Sequence, residues 1–169
     1  MQKIRTPQEL EKLRQLILAE QKPDRRQVTV CGGTGCLSNG SELVVAAFLE
    51  EMRKQGLNGK VNLKKSGCHG FCERGPLVII HPQDIFYQRV SEKDTAEIVA
   101  ETLINGQPVE RLLYIDPQTE KKITRHDEIP FYKHQMRIAL RNNGRIDPTD
   151  IRDSIANGGY AALAKAVTS

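Results

Sequence analysis

Apolar positions along this chain stripe, alternate and cluster in turn, and each pattern predicts a different element. Leu10, Leu13, Leu16 and Ile17 recur three and four residues apart, the stripe of an amphipathic helix. Thr6-Pro7-Gln8-Glu9 ahead of them is a capping box with proline at the first helical position. A helix over residues 7–20 is expected, broken by Lys22-Pro23-Asp24 and covering one face of the core or a partner. Gln27 to Val30 alternates polar and β-branched residues, a short strand that delivers Cys31 at its end. Leu43 to Leu49 is apolar on every side and Glu50 to Lys54 is charged. With caps at Ser38 and Ser41, this predicts a helix from about 41 to 55 whose first half is buried. Gly56 and Asn58-Gly59 end it, and Val61-Asn62-Leu63 begins a second strand.

Beyond residue 76 the pattern favours strands and then helices. Leu77 to Ile80 reads as a buried strand, His81 to Asp84 as a turn, and Ile85 to Val90 as the returning arm of a hairpin. Ser91 caps a helix lined by Ala96, Val99, Ala100 and Leu103 and stopped by Asn105-Gly106. These elements make an α/β unit with a small mixed sheet. Asp116 to Lys122 reads as a polar linker. Three short helices are expected after it, over 130–140, from Pro148 to Asn157, and from Tyr160 to Val167. Helices this short do not bury their apolar faces alone. The chain therefore divides into an N-terminal helix (1–25), a central α/β unit (26–115) and a linker with a helical segment (116–169).

Composition narrows the class. With 38% hydrophobic and 27% charged residues the chain suits a soluble protein with a modest core. No apolar run approaches the roughly 18–20 residues that span a bilayer, and the start carries no apolar signal region. A reducing cytoplasm without membrane insertion is the expected setting. Residues 1–120 are electrically balanced, whereas 121–169 hold 9 Lys+Arg against 5 Asp+Glu, the whole net charge of +4. That segment has no basic run and three aromatics to interleave, so nucleic acid is a poor explanation and a basic docking segment a better one. Packing back on the α/β unit is the alternative.

The chemistry lies in the cysteines. All four fall in two close pairs, Cys31-x4-Cys36 and Cys68-x3-Cys72, with 31 residues between the pairs. Four thiolates from two loops suit an iron–sulfur cluster. Zinc in an interaction domain stays open, with Cys31–Cys36 at the wide edge of zinc spacing. A thiol redox enzyme is disfavoured because neither pair is C-x-x-C, and disulfides by the expected compartment. Gly32, Gly33 and Gly35 allow backbone N–H groups to turn toward a central anion. A phosphate loop would need a Gly-Lys-Ser/Thr that does not follow. His69 inside the second pair raises a Rieske reading, yet four cysteines already complete a ligand set. It is expected as a polar cover near the cluster, with Phe71 screening water and Pro76 a candidate cis proline.

The C-x4-C and C-x3-C pairs, with Gly-Cys-His-Gly-Phe-Cys-Glu-Arg-Gly-Pro at 67–76, resemble the thioredoxin-like [2Fe–2S] ferredoxins. More narrowly they resemble the ferredoxin domain at the N-terminus of NADH-binding flavoprotein subunits in NAD-linked hydrogenases and complex I relatives. The resemblance implies a thioredoxin-like α/β fold, a [2Fe–2S] cluster and Cys31, Cys36, Cys68 and Cys72 as its ligands. It also implies single-electron transfer among flavoprotein and other iron–sulfur subunits. The C-terminal stretch resembles the opening of the flavoprotein body, but the sequence carries no G-x-G-x-x-G and no residue assignable to FMN or NADH. A fragment, a truncated paralogue or a free-standing subunit is expected, possible as a homodimer and not catalytic alone.

Overall fold

The structure, a computed structural model, describes residues 3–21 and 26–168. The break expected at Lys22-Pro23-Asp24 lies outside them. Helix α1 (Pro7–Glu20) starts where its cap predicts, Thr6 Oγ1 accepting from Glu9 N at 3.2 Å. Strand β1 (Gln27–Cys31) is followed by a short helix α2 (Thr34–Ser38) within the first cysteine loop and by α3 (Ser41–Lys54). Strands β2 (Asn62–Ser66), β3 (Val78–His81) and β4 (Ile85–Tyr87) complete a four-stranded sheet in the order β2-β1-β3-β4. β1 runs parallel to β2, and β3 antiparallel to both β1 and β4. The fold is thioredoxin-like α/β with a small mixed sheet. β2 begins and ends later than its apolar pattern suggests, running straight into the second cysteine loop. β4 stops at Tyr87, short of the expected Val90, because the chain bends there: Arg89 takes φ +51°, and the Arg89 and Val90 N–H groups bond to Arg74 and Pro76 carbonyls.

Side-chain alternation along β3 and β4 sends two apolar sets to opposite faces. Val78, Ile80, Ile85 and Tyr87 join Val44, Phe48 and Met52 of α3 on one face. A helical stretch covers the same face, opening with the Ser91–Asp94 capping box, continuing as α4 (Thr95–Glu97) and winding as a π-helix over Ile98–Ile104. Ile79 and Phe86 point the other way, into a second core with Cys31, Cys36, Phe71 and Leu77. A sheet apolar on both faces needs a cover on both.

Residues after 113 supply the second cover, which corrects two expectations. The stretch read as a polar linker is the turn of a hairpin, β5 (Tyr114–Ile115) pairing with β6 (Lys122–Ile123). Asp116 organises that turn by accepting from Gln118 N at 3.0 Å and Thr119 Oγ1 at 2.8 Å. The hairpin flanks also bond to the outer edge of β4, Phe86 N donating to Thr124 O at 2.8 Å, and so protect that edge. The helix expected over 130–140 is one turn long, α5 (Pro130–Lys133). A longer isolated helix would be marginal in water, and the chain instead makes polar anchors to the second cysteine loop. Ile129 and Tyr132 then pack into the second core. Helices α6 (Ile151–Ala156) and α7 (Ala161–Thr168) follow. Ile17, Leu10 and Leu13 of α1 close a third, small core with Ile155 and Ala156 of α6. The N-terminal helix therefore stabilises the C-terminal end rather than the sheet.

Candidate metal centre

Both cysteine loops leave the same end of the sheet, because β1 and β2 are parallel and each is followed by one of them. Cys31 closes β1 between its two neighbours: its N–H donates to Leu77 O at 3.0 Å, and that of Gly32 to Ser66 O at 2.8 Å. The α2 turn brings Cys36 back beside Cys31 in the buried second core. Cys68 follows β2 by two residues, and the 3-10 turn Cys72–Arg74 sets Cys72 Sγ 3.7 Å from Cys68 Sγ. The two loops meet at Gly33, where an added Cβ would lie 2.8 Å from Cys68 Cβ and 2.9 Å from its Sγ. Gly75 packs as tightly against Cys36, an added Cβ lying 2.7 Å from its Sγ, and Gly35 somewhat less closely against Cys72, at 3.1 Å from its Cβ. The thiols are grouped two by two; among the described residues, no three His, Cys, Asp or Glu side chains gather about one point to hold a single ion.

Electrostatics separates the pairs. The Cys31 thiol is held down to about 6, chiefly by a hydrogen bond from Cys36, with burial opposing and the Gly33 and His69 backbone N–H groups assisting. Cys36 is pushed up by that same bond, by burial and by the Cys31 charge. Cys68 is raised by burial, while Gly70 N donates to its sulfur at 3.3 Å. The expected N–H donors are therefore present, shared between both loops rather than drawn from the glycine run alone. Cys31 and Cys36 are buried, Cys68 half-buried and Cys72 exposed, so the centre has a wet edge on the second pair.

His69 is buried, its Nε2 3.3 Å from Ser66 Oγ, and burial above all pulls its pKa down to about 3. The ring is neutral and lies beneath Gly144, whose φ of +89° and contact with the ring leave no space for a side chain. Phe71 is buried and stacks on Phe131 at 4.5 Å, with Phe86, Tyr114 and Tyr132 around it. Gly75–Pro76 is cis, as is His81–Pro82.

The sequence patterns do not place a strap that crosses the second loop. Phe131 rests against Gly70, Arg137 Nη2 donates to His69 O at 2.8 Å and Asn143 Nδ2 donates to Cys68 O at 2.7 Å. Tyr132 is buried, with the Arg137 guanidinium 4.8 Å over its ring. The adjacent Phe131-Tyr132 pair was its one visible signal. Two thiol pairs meeting at Gly33, with backbone N–H groups on the sulfurs, suit a binuclear cluster.

Residues 17–103 match the family model described as thioredoxin-like [2Fe-2S] ferredoxin. The chain belongs to the thioredoxin-like [2Fe–2S] ferredoxin family. A 2Fe-2S ferredoxin of Clostridium pasteurianum is 36% identical over 77 residues, 46% of this chain and 76% of that one. The NADP-reducing hydrogenase subunit HndB of Solidesulfovibrio fructosivorans is 29% identical over 122 residues, 69% of this chain and 95% of that one. A solved thioredoxin-like [2Fe-2S] ferredoxin from Aquifex aeolicus aligns at 29% identity and TM-score 0.50, covering 59% of this chain and 99% of that one. This ferredoxin carries a [2Fe–2S] cluster and acts as an electron carrier. The strap over its second loop falls outside the matched residues 17–103. Among the described residues no helix is long and apolar enough to cross a membrane.

Proposed function

We propose that the chain is the electron-transfer module of a multisubunit oxidoreductase linked to NAD(P)H and flavin, with Cys31, Cys36, Cys68 and Cys72 as the cluster ligands. The observation that carries the ligand assignment is the meeting of the two thiol pairs across Gly33. When bound, the cluster takes up and returns one electron at a time. The chain contributes burial on the Cys31–Cys36 side, N–H donors to sulfur, and an exposed edge at Cys72 where a partner can approach.

Resemblance to the HndB hydrogenase subunit over 69% of this chain supports the assembly. The surface beside the exposed edge supports a protein partner. Residues 129–146 hold Lys133, Arg137, Arg141 and Arg145 and no carboxylate. The described ion pairs of this half of the chain engage Arg111, Lys122, Arg125 and Arg152 instead. Met136 and Ile138 stand 88% and 76% exposed among these cations, a basic rim with apolar centres suited to an acidic redox partner. Flavin and nicotinamide chemistry belong to that partner, and the setting is cytoplasmic.

Anaerobic purification followed by iron, sulfide and zinc analysis tests the reading. Two irons and two acid-labile sulfides per chain are expected, with a visible absorption that Cys72→Ser weakens or abolishes. Stoichiometric zinc in colourless protein would overturn the cluster. An unchanged spectrum and iron content in Cys72→Ser would overturn the ligand assignment.

A further inference from the structure

We propose that Arg137 and Asn143 raise the reduction potential of the cluster by polarising two peptide groups whose N–H ends donate to cysteine sulfurs. The groups are the Cys68–His69 and His69–Gly70 peptides of the second cysteine loop. The proposal rests on the cluster reading above.

Each of these peptides is bonded at both ends. Arg137 Nη2 donates to His69 O at 2.8 Å, and Gly70 N, the other end of that peptide, donates to Cys68 Sγ at 3.3 Å. Asn143 Nδ2 donates to Cys68 O at 2.7 Å, and His69 N, the other end of that peptide, donates to the Cys31 sulfur. A trans peptide points its C=O and N–H in opposite directions, so the strap holds one end of each group and a sulfur the other. The two sulfurs belong to different cysteine pairs. The Arg137 guanidinium is fixed in place over the Tyr132 ring at 4.8 Å, with Gln135 Oε1 accepting from its Nε at 3.4 Å. Asn143 is seated against Gly67, where an added Cβ would lie 2.9 Å from its Oδ1. Gly144 beside it packs on the ring of buried His69. Both strap residues lie outside residues 17–103, which match the family.

A donor on a carbonyl oxygen draws electron density from the peptide nitrogen and strengthens its N–H, because hydrogen bonds in a chain polarise one another. Arg137 does so as a cation, and charge-assisted bonds are roughly twice as strong as neutral ones. Asn143 does so without charge. A hydrogen bond to sulfur strengthens as the sulfur gains negative charge, so it favours the reduced form and moves the potential up. Arg137 and Asn143 are positioning residues in this scheme. They act on the sulfurs through the backbone and exchange no electron or proton.

The test uses full-length, cluster-loaded protein. Asn143→Ala removes an uncharged donor, so a change in its potential does not come from lost charge. Arg137→Met removes the cationic donor at nearly the same length. We expect two irons retained in both variants and a midpoint potential below that of the unsubstituted protein. The shift of the resonance Raman Fe–S bands on exchange from H2O into D2O should also shrink in each, because that shift reads the N–H groups on sulfur. An Asn143→Ala protein in which either the potential or the isotope shift is unchanged would overturn the proposal. Should Asn143→Ala fail to load iron, the isotope shift of Arg137→Met decides, since lost charge alone leaves it as it was; an unchanged shift overturns the proposal. Loss of iron from both variants would make the strap a support for the loop alone, and overturns it as well. Unsubstituted protein without iron would instead overturn the cluster reading itself, and this proposal with it.

Discussion

Ile129 is the residue on which the C-terminal segment is anchored, and replacing it by alanine asks whether that segment belongs to the cluster-bearing unit. Its side chain is 0% exposed and packs in the second core with Cys31, Cys36, Phe71, Leu77, Ile79 and Phe86. Ile129→Ala deletes three buried carbons, worth about 2.5 kcal/mol at ~0.8 kcal/mol each. The remaining cavity raises the cost to about 3–4 kcal/mol, within the ~2–5 seen for such truncations. For a chain of this size each kcal/mol moves the melting temperature by roughly 2–4 °C, so a fall of about 6–15 °C is expected. Melting would be followed in parallel by far-UV circular dichroism and by visible absorption of the cluster. Both should fall earlier and together, since the hole opens beside two cysteines. Leu163→Ala, on the 58% exposed side chain of α7, is the control and should stay within about 0.5 kcal/mol. If Ile129→Ala leaves the visible transition in place, or splits it from the loss of secondary structure, residues 116–146 are a separate docking segment and the packing argument fails.

Three other perturbations probe different parts of the fold. Gly33→Ala places a Cβ 2.8 Å from Cys68 Cβ, so it should push the cysteine loops apart and cost most of the iron while circular dichroism stays native; full iron content would contradict the geometry. Asp153 is 2% exposed, pairs with Lys64 at 2.6 Å and accepts from Asp147 N at 2.8 Å. Asp153→Ala leaves a lysine unpaired, and chemical denaturation should show a loss of about 3 kcal/mol; a loss under 1 kcal/mol would count against it. His126 is kept below its ordinary 6.5 chiefly by burial. The unfolded chain therefore binds the proton more tightly, and His126 stability is complete above pH 6.5 and declines as pH falls below it. His126→Gln should flatten the stability curve below pH 6.5, and an unaltered slope would remove His126 from the account.

What the sequence determined by itself is local. The Thr6 cap and the apolar stripe start α1 where they predict, because caps and helical periodicity are decided within a few residues. Cysteine spacing pointed to a cluster for the same reason, since each pair is close along the chain before it is close in space. Leu77 to Ile80, apolar without alternation, already signalled a strand covered on both faces. It could not say by what. That answer came from tertiary structure: Ile79 and Phe86 need a cover, and residues 113–132 provide it, turning an apparent polar linker into a hairpin. The helix pattern over 130–140 was overridden in the same way, where Arg137 and Asn143 bond to the His69 and Cys68 carbonyls. Propensity in a short segment amounts to tenths of a kcal/mol per residue, whereas burying one aromatic ring or satisfying a loop carbonyl amounts to a kcal/mol or more. The placement of Tyr132 beside the cysteines, about sixty residues beyond the second pair, was therefore decided by packing across the sheet, which no local pattern encodes.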